Sequence, residues 1–269
     1  MIRLLVLDMD GTLYNSRTQI SPRNKAALRA AQEKGVRVAL ASGRNYQGLQ
    51  ETCRELELDT HDGFVVGNNG QDLYDFRRGE LTQGAKICRS AWITALEVGK
   101  RRNMEVFGHN NGEGCYYAPR EGMKLHPGRE SRRYDETTGL FDEPGDMDKI
   151  GIFIPQKEPY CYEVLDELCQ LIRTDEAQCV LVNPLCIELV PPGMDKSVGV
   201  DQIVERYGLA RDEVLVMGDG QNDLGMAKKY PFVAMANALS EVKACALRIT
   251  ASNDDDGVAL EIERSILHP

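Results

Sequence analysis

Asp8 and Asp10 stand two residues apart at the end of the run Ile2-Arg3-Leu4-Leu5-Val6-Leu7, with Gly11-Thr12 behind them. The run reads as a buried strand, and the glycine as the point where the backbone turns. Two carboxylates held at a strand end concentrate negative charge, which is costly unless a cation or a chemical role compensates it. The pattern points to a metal site, a nucleophile or both, although Asp and Gly are also ordinary turn residues. A second strand pattern, Glu213-Val214-Leu215-Val216-Met217, runs into Gly218-Asp219-Gly220-Gln221-Asn222-Asp223. Two strands that each deliver acidic groups at their C-terminal ends mark the usual ligand-binding edge of an open parallel sheet.

Phosphoryl transfer through a covalent intermediate needs a nucleophile, a metal to screen charge, an acid/base and donors for the equatorial oxygens. The chain offers a candidate for each. Asp8 can attack phosphorus, and Asp10, expected to point the same way, can protonate the leaving oxygen. Asp219, with Asp223 behind it, can complete an oxygen ligand set, and Mg²⁺ suits carboxylates, waters and a substrate phosphate. Ser42 offers a hydroxyl at a strand end, and Gly43 leaves its backbone N–H open at an expected helix start, where anions are favoured. Lys196 opens a helix after Pro191-Pro192-Gly193, an unfavourable place for a cation in the helix dipole. A partner such as a phosphoryl oxygen plus the Asp8 carboxylate is expected there, whereas a lone lysine is most often a solvated surface group.

The elements that must position these groups alternate. Ser21-Pro22 starts a helix that stops at Gly35; Val36 to Ala41 is a strand, followed by Ser42-Gly43-Arg44 and a helix to about Leu56; Phe64 to Val66 is a third strand, ending in Gly67-Asn68-Asn69-Gly70. Such spacing predicts right-handed crossovers and a parallel sheet. The middle differs: strands close in sequence, with two helices, read as an antiparallel sheet with helices on one face. His109, Asn110 and Asn111, after a strand at 104–107, are candidates for a substrate-facing loop. From Lys196 the alternation of strand and helix resumes, so the parallel domain is split, residues 1–82 and 187–269 flanking an insertion of 83–186.

A formal charge of −10 argues against a nucleic-acid partner, which needs a basic stripe. Cysteines 53, 88, 115, 161, 169, 179, 186 and 245 form no C-x-x-C pair and are expected to be reduced core residues. No apolar stretch approaches the ~18 residues of a membrane span, and residue 2 already enters a strand, so a cytoplasmic protein without membrane association is expected.

Asp8-x-Asp10-Gly11-Thr12, the strand-end Ser42, Lys196 and Gly218-Asp219-x-x-Asn222-Asp223, in that order, resemble the four motifs of the haloacid-dehalogenase superfamily of phosphatases. Ser42-Gly43-Arg44, Gly67 to Gly70, Glu188 to Gly193 and Ser252 to Ala259 are similar to its Cof-like branch with a large αβ cap. The resemblance implies an α/β fold with a Rossmann-like parallel-sheet core at 1–82 and 187–269, split by an α+β cap at 83–186 that carries specificity. It implies Asp8 as nucleophile and metal ligand, and Asp10 as acid/base with its backbone carbonyl on Mg²⁺. Ser42, Gly43, Arg44 and Lys196 would bind the phosphorylated substrate, Asn222 would contact the phosphoryl group, and Asp219 would hold the metal, with Asp223 supporting it either as a ligand or from behind the ligands. The family often has Gly where this chain has Ser197, and the acidic 253–256 run reads as a turn and helix cap. The expected activity is Mg²⁺-dependent hydrolysis of a small phosphomonoester, such as a sugar phosphate, by a monomer or homodimer. A phosphotransferase or sugar-phosphate mutase on the same scaffold is the close alternative. A signalling module phosphorylated on Asp8 is the other, against which stand Asp10 and an insertion of roughly 100 residues.

Overall fold

The structure is a computed structural model that describes residues 1–110, 113–118, 131–133, 147–154, 160–183 and 185–268. In chain order the strands are β1 (Leu4–Asp8), β2 (Arg37–Ala41), β3 (Phe64–Gly67), β4 (Asp72–Asp75), β5 (Glu80–Gln83), β6 (Glu105–Asn110), β7 (Glu113–Tyr117), β8 (Ser131–Arg133), β9 (Lys149–Phe153), β10 (Gln178–Asn183), β11 (Cys186–Val190), β12 (Val214–Gly218), β13 (Phe232–Ala234) and β14 (Arg248–Ile249). The helices are α1 (Pro22–Glu33), α2 (Tyr46–Glu55), α3 (Arg89–Arg102), α4 (Tyr160–Leu171), α5 (Lys196–Tyr207), α6 (Leu224–Lys229), α7 (Ser240–Ala244) and α8 (Gly257–Ile262). They divide into two units, Met1–Gly84 with Asp195–Pro269, and Ala85–Met194.

The first unit is built on one sheet in the order β14-β13-β12-β1-β2-β3-β4-β5. β1 is central and parallel to both neighbours, with Leu5 opposite Leu215 on one side and Val38 on the other. Both of its edges are therefore paired, and the complete burial of Leu4 to Leu7 shows that both faces are covered too, as a continuous apolar run requires. α1 starts where the Ser21 side chain accepts the Asn24 N–H and Pro22 takes the first turn, and the chain leaves it at Gly35, whose φ is 84°. α2 starts later than Ser42-Gly43: Asn45 is its cap, accepting the Gly48 N–H at 2.9 Å, so Gly43 lies in a bend ahead of the helix.

β4 extends this sheet antiparallel to β3, and β5 antiparallel to β4, a hairpin the sequence reading lacks. Four residues of alternation are too short to be told from a turn, and the hairpin is fixed from elsewhere. The fully buried Asp75 accepts hydrogen bonds from Tyr207 Oη at 2.9 Å and Arg206 Nη1 at 3.0 Å at the end of α5.

The second unit has the sheet order β10-β11-β9-β6-β7-β8, antiparallel except between β7 and β8. Val106, Ile150, Ile152, Ile187 and Leu189 alternate along their strands onto one face and pack with Trp92 and Leu96 of α3 and Val164 and Leu168 of α4. The expected end of the insertion at 186 is corrected to Met194, because β11 pairs with β9 and β10 (Ile187 opposite Ile152, Leu189 opposite Cys179); the start moves from 83 to Ala85. His109 and Asn110 lie within β6 rather than in a loop after 107. Asn111 lies outside the described residues, as does the stretch 119–148 apart from 131–133 and 147–148.

Cys53, Cys161 and Cys186 are buried free thiols, but Cys169 and Cys245 are exposed, which corrects the expectation of core cysteines. α4 buries Cys161, Val164 and Leu168, and Cys169 falls off that stripe. No described helix is long and apolar enough to cross a membrane.

Candidate active site

β1 delivers Asp8 at its last position, with Leu7 opposite Met217 of β12 and Asp8 opposite Ala41 of β2. The parallel register thus brings the turns after β1, β2 and β12 to one sheet edge. Lys196, the first residue of α5, is 0% exposed. Its Nζ donates to Asp8 Oδ1 at 2.5 Å and to Asp223 Oδ1 at 2.8 Å. Asp223 Oδ2 in turn accepts the N–H groups of Asp219 and Gly220, each at 3.0 Å, which folds the turn after β12 around its own carboxylate. Thr12 Oγ1 donates to Asp219 Oδ1 at 2.8 Å and joins the two turns. Asp8, Asp219 and Asp223 each place a carboxylate oxygen within 4.8 Å of the other two.

Gly11 makes this approach sterically possible. Its φ is 90°, and a Cβ there would stand 2.3 Å from Asp219 Oδ2. Gly11→Ala is expected to push Asp219 out of the cluster and to weaken divalent-metal affinity about tenfold or more, while backbone strain costs about 1–3 kcal/mol of stability. Isothermal titration with Mg²⁺ alongside urea unfolding measures both; unchanged metal affinity would contradict the placement.

Burial is the main force raising the Asp8 carboxyl well above its usual range; the Asp223 and Asp219 charges add to it, and Lys196 opposes it. Asp219 is pushed up to about 6, first by burial and then by Asp223, against the hydrogen bond from Thr12. Burial alone would lower Lys196, but the charges of Asp223 and Asp8 raise it, so the ammonium stays charged. Three carboxylates face one ammonium, and the remaining negative charge disfavours full ionisation. An all-oxygen donor set with surplus negative charge fits a hard divalent cation such as Mg²⁺.

The Asp10 carboxylate is not in this cluster. The strand ends at Asp8, so the two-residue alternation that would align both side chains no longer applies. Arg44 holds Asp10 in a two-pronged pair, Nη2 to Oδ1 at 2.7 Å and Nε to Oδ2 at 3.1 Å, with the carboxylate 59% exposed. Ser42 is buried, and its Oγ accepts the Arg44 N–H at 3.1 Å. Asn222 Nδ2 reaches Asn69 Oδ1 at 3.5 Å, in the turn after β3. Asp195 caps α5 by accepting the Ser197 N–H at 2.7 Å, and the buried Ser197 hydroxyl has no hydrogen-bond partner among the described residues.

The 253–256 run is a turn that braces the segment after β1. Asn253 Nδ2 donates to Tyr14 O at 2.9 Å, Asp254 accepts the Ser16 N–H at 2.9 Å, and Asp256 accepts the Ser21 hydroxyl. Its expected capping role is corrected: Asp256 precedes α8 but its side chain makes no cap bond there. Thr12, Asn69 and Asn237, which donates to Gly11 O at 2.7 Å, carry contacts to which the sequence reading assigned no role. Thr12 sits inside the first motif and Asn69 in a singled-out turn, whereas nothing local marks Asn237.

The pattern of one family, described as haloacid dehalogenase-like hydrolase, matches residues 5–262. The chain is 30% identical over 268 residues to a Bacillus subtilis (strain 168) protein named 5-amino-6-(5-phospho-D-ribitylamino)uracil phosphatase YcsE, covering 99% of this chain and 96% of that one. It is 29% identical over 279 residues to the chloroplastic endoribonuclease YBEY of Arabidopsis thaliana; the match takes in 96% of this chain but only 45% of that longer protein. A crystal structure of a haloacid dehalogenase-like hydrolase from Bacteroides thetaiotaomicron superposes with a TM-score of 0.82 at 31% identity, covering 98% of this chain and 99% of the other.

Proposed function

Since the chain belongs to the haloacid dehalogenase-like hydrolases, we propose that it hydrolyses small phosphomonoesters through a phosphoryl group carried on Asp8. The observation that supports this most is the Asp8 carboxylate, buried at a sheet edge 2.5 Å from the Lys196 ammonium and grouped with Asp219 and Asp223. Asp8 attacks phosphorus as the ester P–O bond breaks, and Asp10 gives a proton to the departing alcohol oxygen. A water then attacks the phosphoryl group, passes its proton to Asp10, and frees Asp8. Asp10 must leave Arg44 to reach the leaving oxygen, and Arg44 is then available to the substrate. Lys196 holds Asp8 in place, while Ser42, Gly43 and Asn222 donate to phosphoryl oxygens. A bound Mg²⁺, held by Asp8, Asp219 and Asp223 with the Asp10 carbonyl, would screen the charge between nucleophile and phosphate.

The unit 85–194 is assigned the choice of leaving group. A phosphate ester on a sugar or polyol is the favoured substrate class, in keeping with the phospho-ribityl compound in the name of the Bacillus subtilis relative. The formal charge of −10 gives no support to RNA as a substrate. The test is a panel of phosphorylated metabolites assayed for free phosphate with Mg²⁺ and with EDTA. Metal-dependent release supports the reading. No release from any ester, or transfer to an added alcohol without free phosphate, overturns it.

Metal and pH are linked through Asp219. Its folded-state carboxyl titrates near 6 against the ordinary 3.8, so the metal-free fold takes up protons more readily than the unfolded chain. That contribution to stability is complete below about 4 and is lost as pH rises through 6, with Asp8 shifted in the same direction. Saturating Mg²⁺ is therefore expected to raise the thermal midpoint more at pH 7.5 than at pH 5, by several degrees in scanning fluorimetry. An equal rise at both values would contradict the assignment of these carboxyls to the metal.

A further inference from the structure

Asn68, Asn69 and Gly70 follow one another with φ of 47°, 54° and 98°, an unbroken run in the left-handed region that disfavours side chains. Asparagine tolerates this backbone better than most residues, yet glycine would satisfy it at lower steric cost. The side chains at 68 and 69 must therefore be accounted for by what they touch. Asn68 Nδ2 donates to Asp72 Oδ2 at 2.6 Å, a local bond to the first residue of β4. Asn69 reaches outward to Asn222 at 3.5 Å.

The turn's backbone also reaches the other parts of the site. The Asn68 N–H donates to Arg44 O and the Asn69 N–H to Ser42 O, both at 3.0 Å. Gly70 lies so close to the start of α5 that a Cβ would stand 2.0 Å from Asp195 O and 3.1 Å from Lys196 Cα. Three residues thus touch the segment after β2, the helix that carries Lys196, and the segment after β12. Strained backbone of this kind persists only where its surroundings over-determine it.

We infer that Asn69 is a positioning residue: its buried side-chain amide, fixed by the left-handed turn, orients Asn222 toward the phosphoryl group. The inference rests on the phosphatase reading and names a residue that reading does not use. Asn69 does not touch the reacting atoms; it acts through Asn222, and its removal lets that amide swing away from the geometry the transferring group requires.

The test compares Asn69→Gly, Asn222→Ala and the double variant with the wild type, using p-nitrophenyl phosphate and Mg²⁺. Glycine suits the backbone at 69, so Asn69→Gly is expected to keep a thermal midpoint close to that of the wild type. Its kcat is expected to fall about tenfold or more, with KM changed less than about twofold. Asn222→Ala should lose at least as much, and the double variant no more than Asn222→Ala alone. Wild-type kcat in Asn69→Gly, a loss confined to KM, or multiplicative losses in the double variant each overturn the role of Asn69 while leaving the phosphatase reading intact. A wild-type protein that releases no phosphate from any ester overturns both.

Discussion

Asp8→Asn is expected to lower phosphate release by about 10⁴-fold or more, with the fold retained. An amide has nearly the shape of the carboxylate, so packing at the end of β1 is preserved, but its oxygen is a poor nucleophile toward phosphorus. Two electrostatic effects of the substitution oppose each other. The ion pair to Lys196 at 2.5 Å is lost, and so is the repulsion from Asp219 and Asp223 that helps raise the Asp8 carboxyl. Melting temperature should therefore change far less than rate, which separates a chemical role from a structural one. Rapid-quench labelling of the wild type with substrate should yield a phosphorylated peptide containing Asp8, absent from the variant. Asp8→Asn with wild-type turnover would sink the nucleophile assignment.

The second large effect is expected at Lys196, and in stability. Its Nζ is completely buried between Asp8 and Asp223, with the two carboxylates at 2.5 and 2.8 Å. Removing one partner from a buried ionic cluster leaves uncompensated charge, and Lys196→Met, which keeps most of the volume, is expected to cost about 3–5 kcal/mol in metal-free urea unfolding. The sign of the next measurement distinguishes charge from packing. Mg²⁺ should recover more stability in Lys196→Met than in the wild type, and adding Asp8→Asn to Lys196→Met should restore part of the loss, because it removes one of the stranded anions. A cost below about 1 kcal/mol, or a double variant weaker than Lys196→Met, would show that the lysine is not what neutralises the cluster.

The parallel half of the fold was legible because its strands are buried on both faces and read as continuous apolar runs bounded by glycine, as in Leu4 to Leu7 and Val214 to Met217. The β4–β5 hairpin was not. It is held by Asp75 reaching Arg206 and Tyr207, a contact across more than a hundred residues that no local pattern encodes. β11 illustrates the same limit. Its composition suits either sheet, and only pairing with β9 and β10 assigns it to the insertion. In the site, spacing identified Asp8, Asp219, Asp223 and Lys196, which the structure groups through main-chain register and one buried ammonium. Spacing misdirected the reading of where Asp10 points, because alternation was extended two residues past the strand and the Arg44 pair was invisible. Asn237 was hidden for a different reason, as was the contact, though not the turn, of Asn253: each acts through an amide on a distant backbone carbonyl, Gly11 O and Tyr14 O.

The order of strands in the larger sheet has a consequence for the growing chain. β1 is made well before β12, which covers one of its two flanks, and before residues 237–256, which tie down the segment behind it. Until β12 emerges, the growing polypeptide therefore keeps an unpaired edge at the strand that carries Asp8. A ribosome that stalls before residue 214 would release a fragment prone to self-association and devoid of catalysis. Emergence of β12 and the turn behind it is then the event that both covers that flank and brings Asp219 and Asp223 to Asp8.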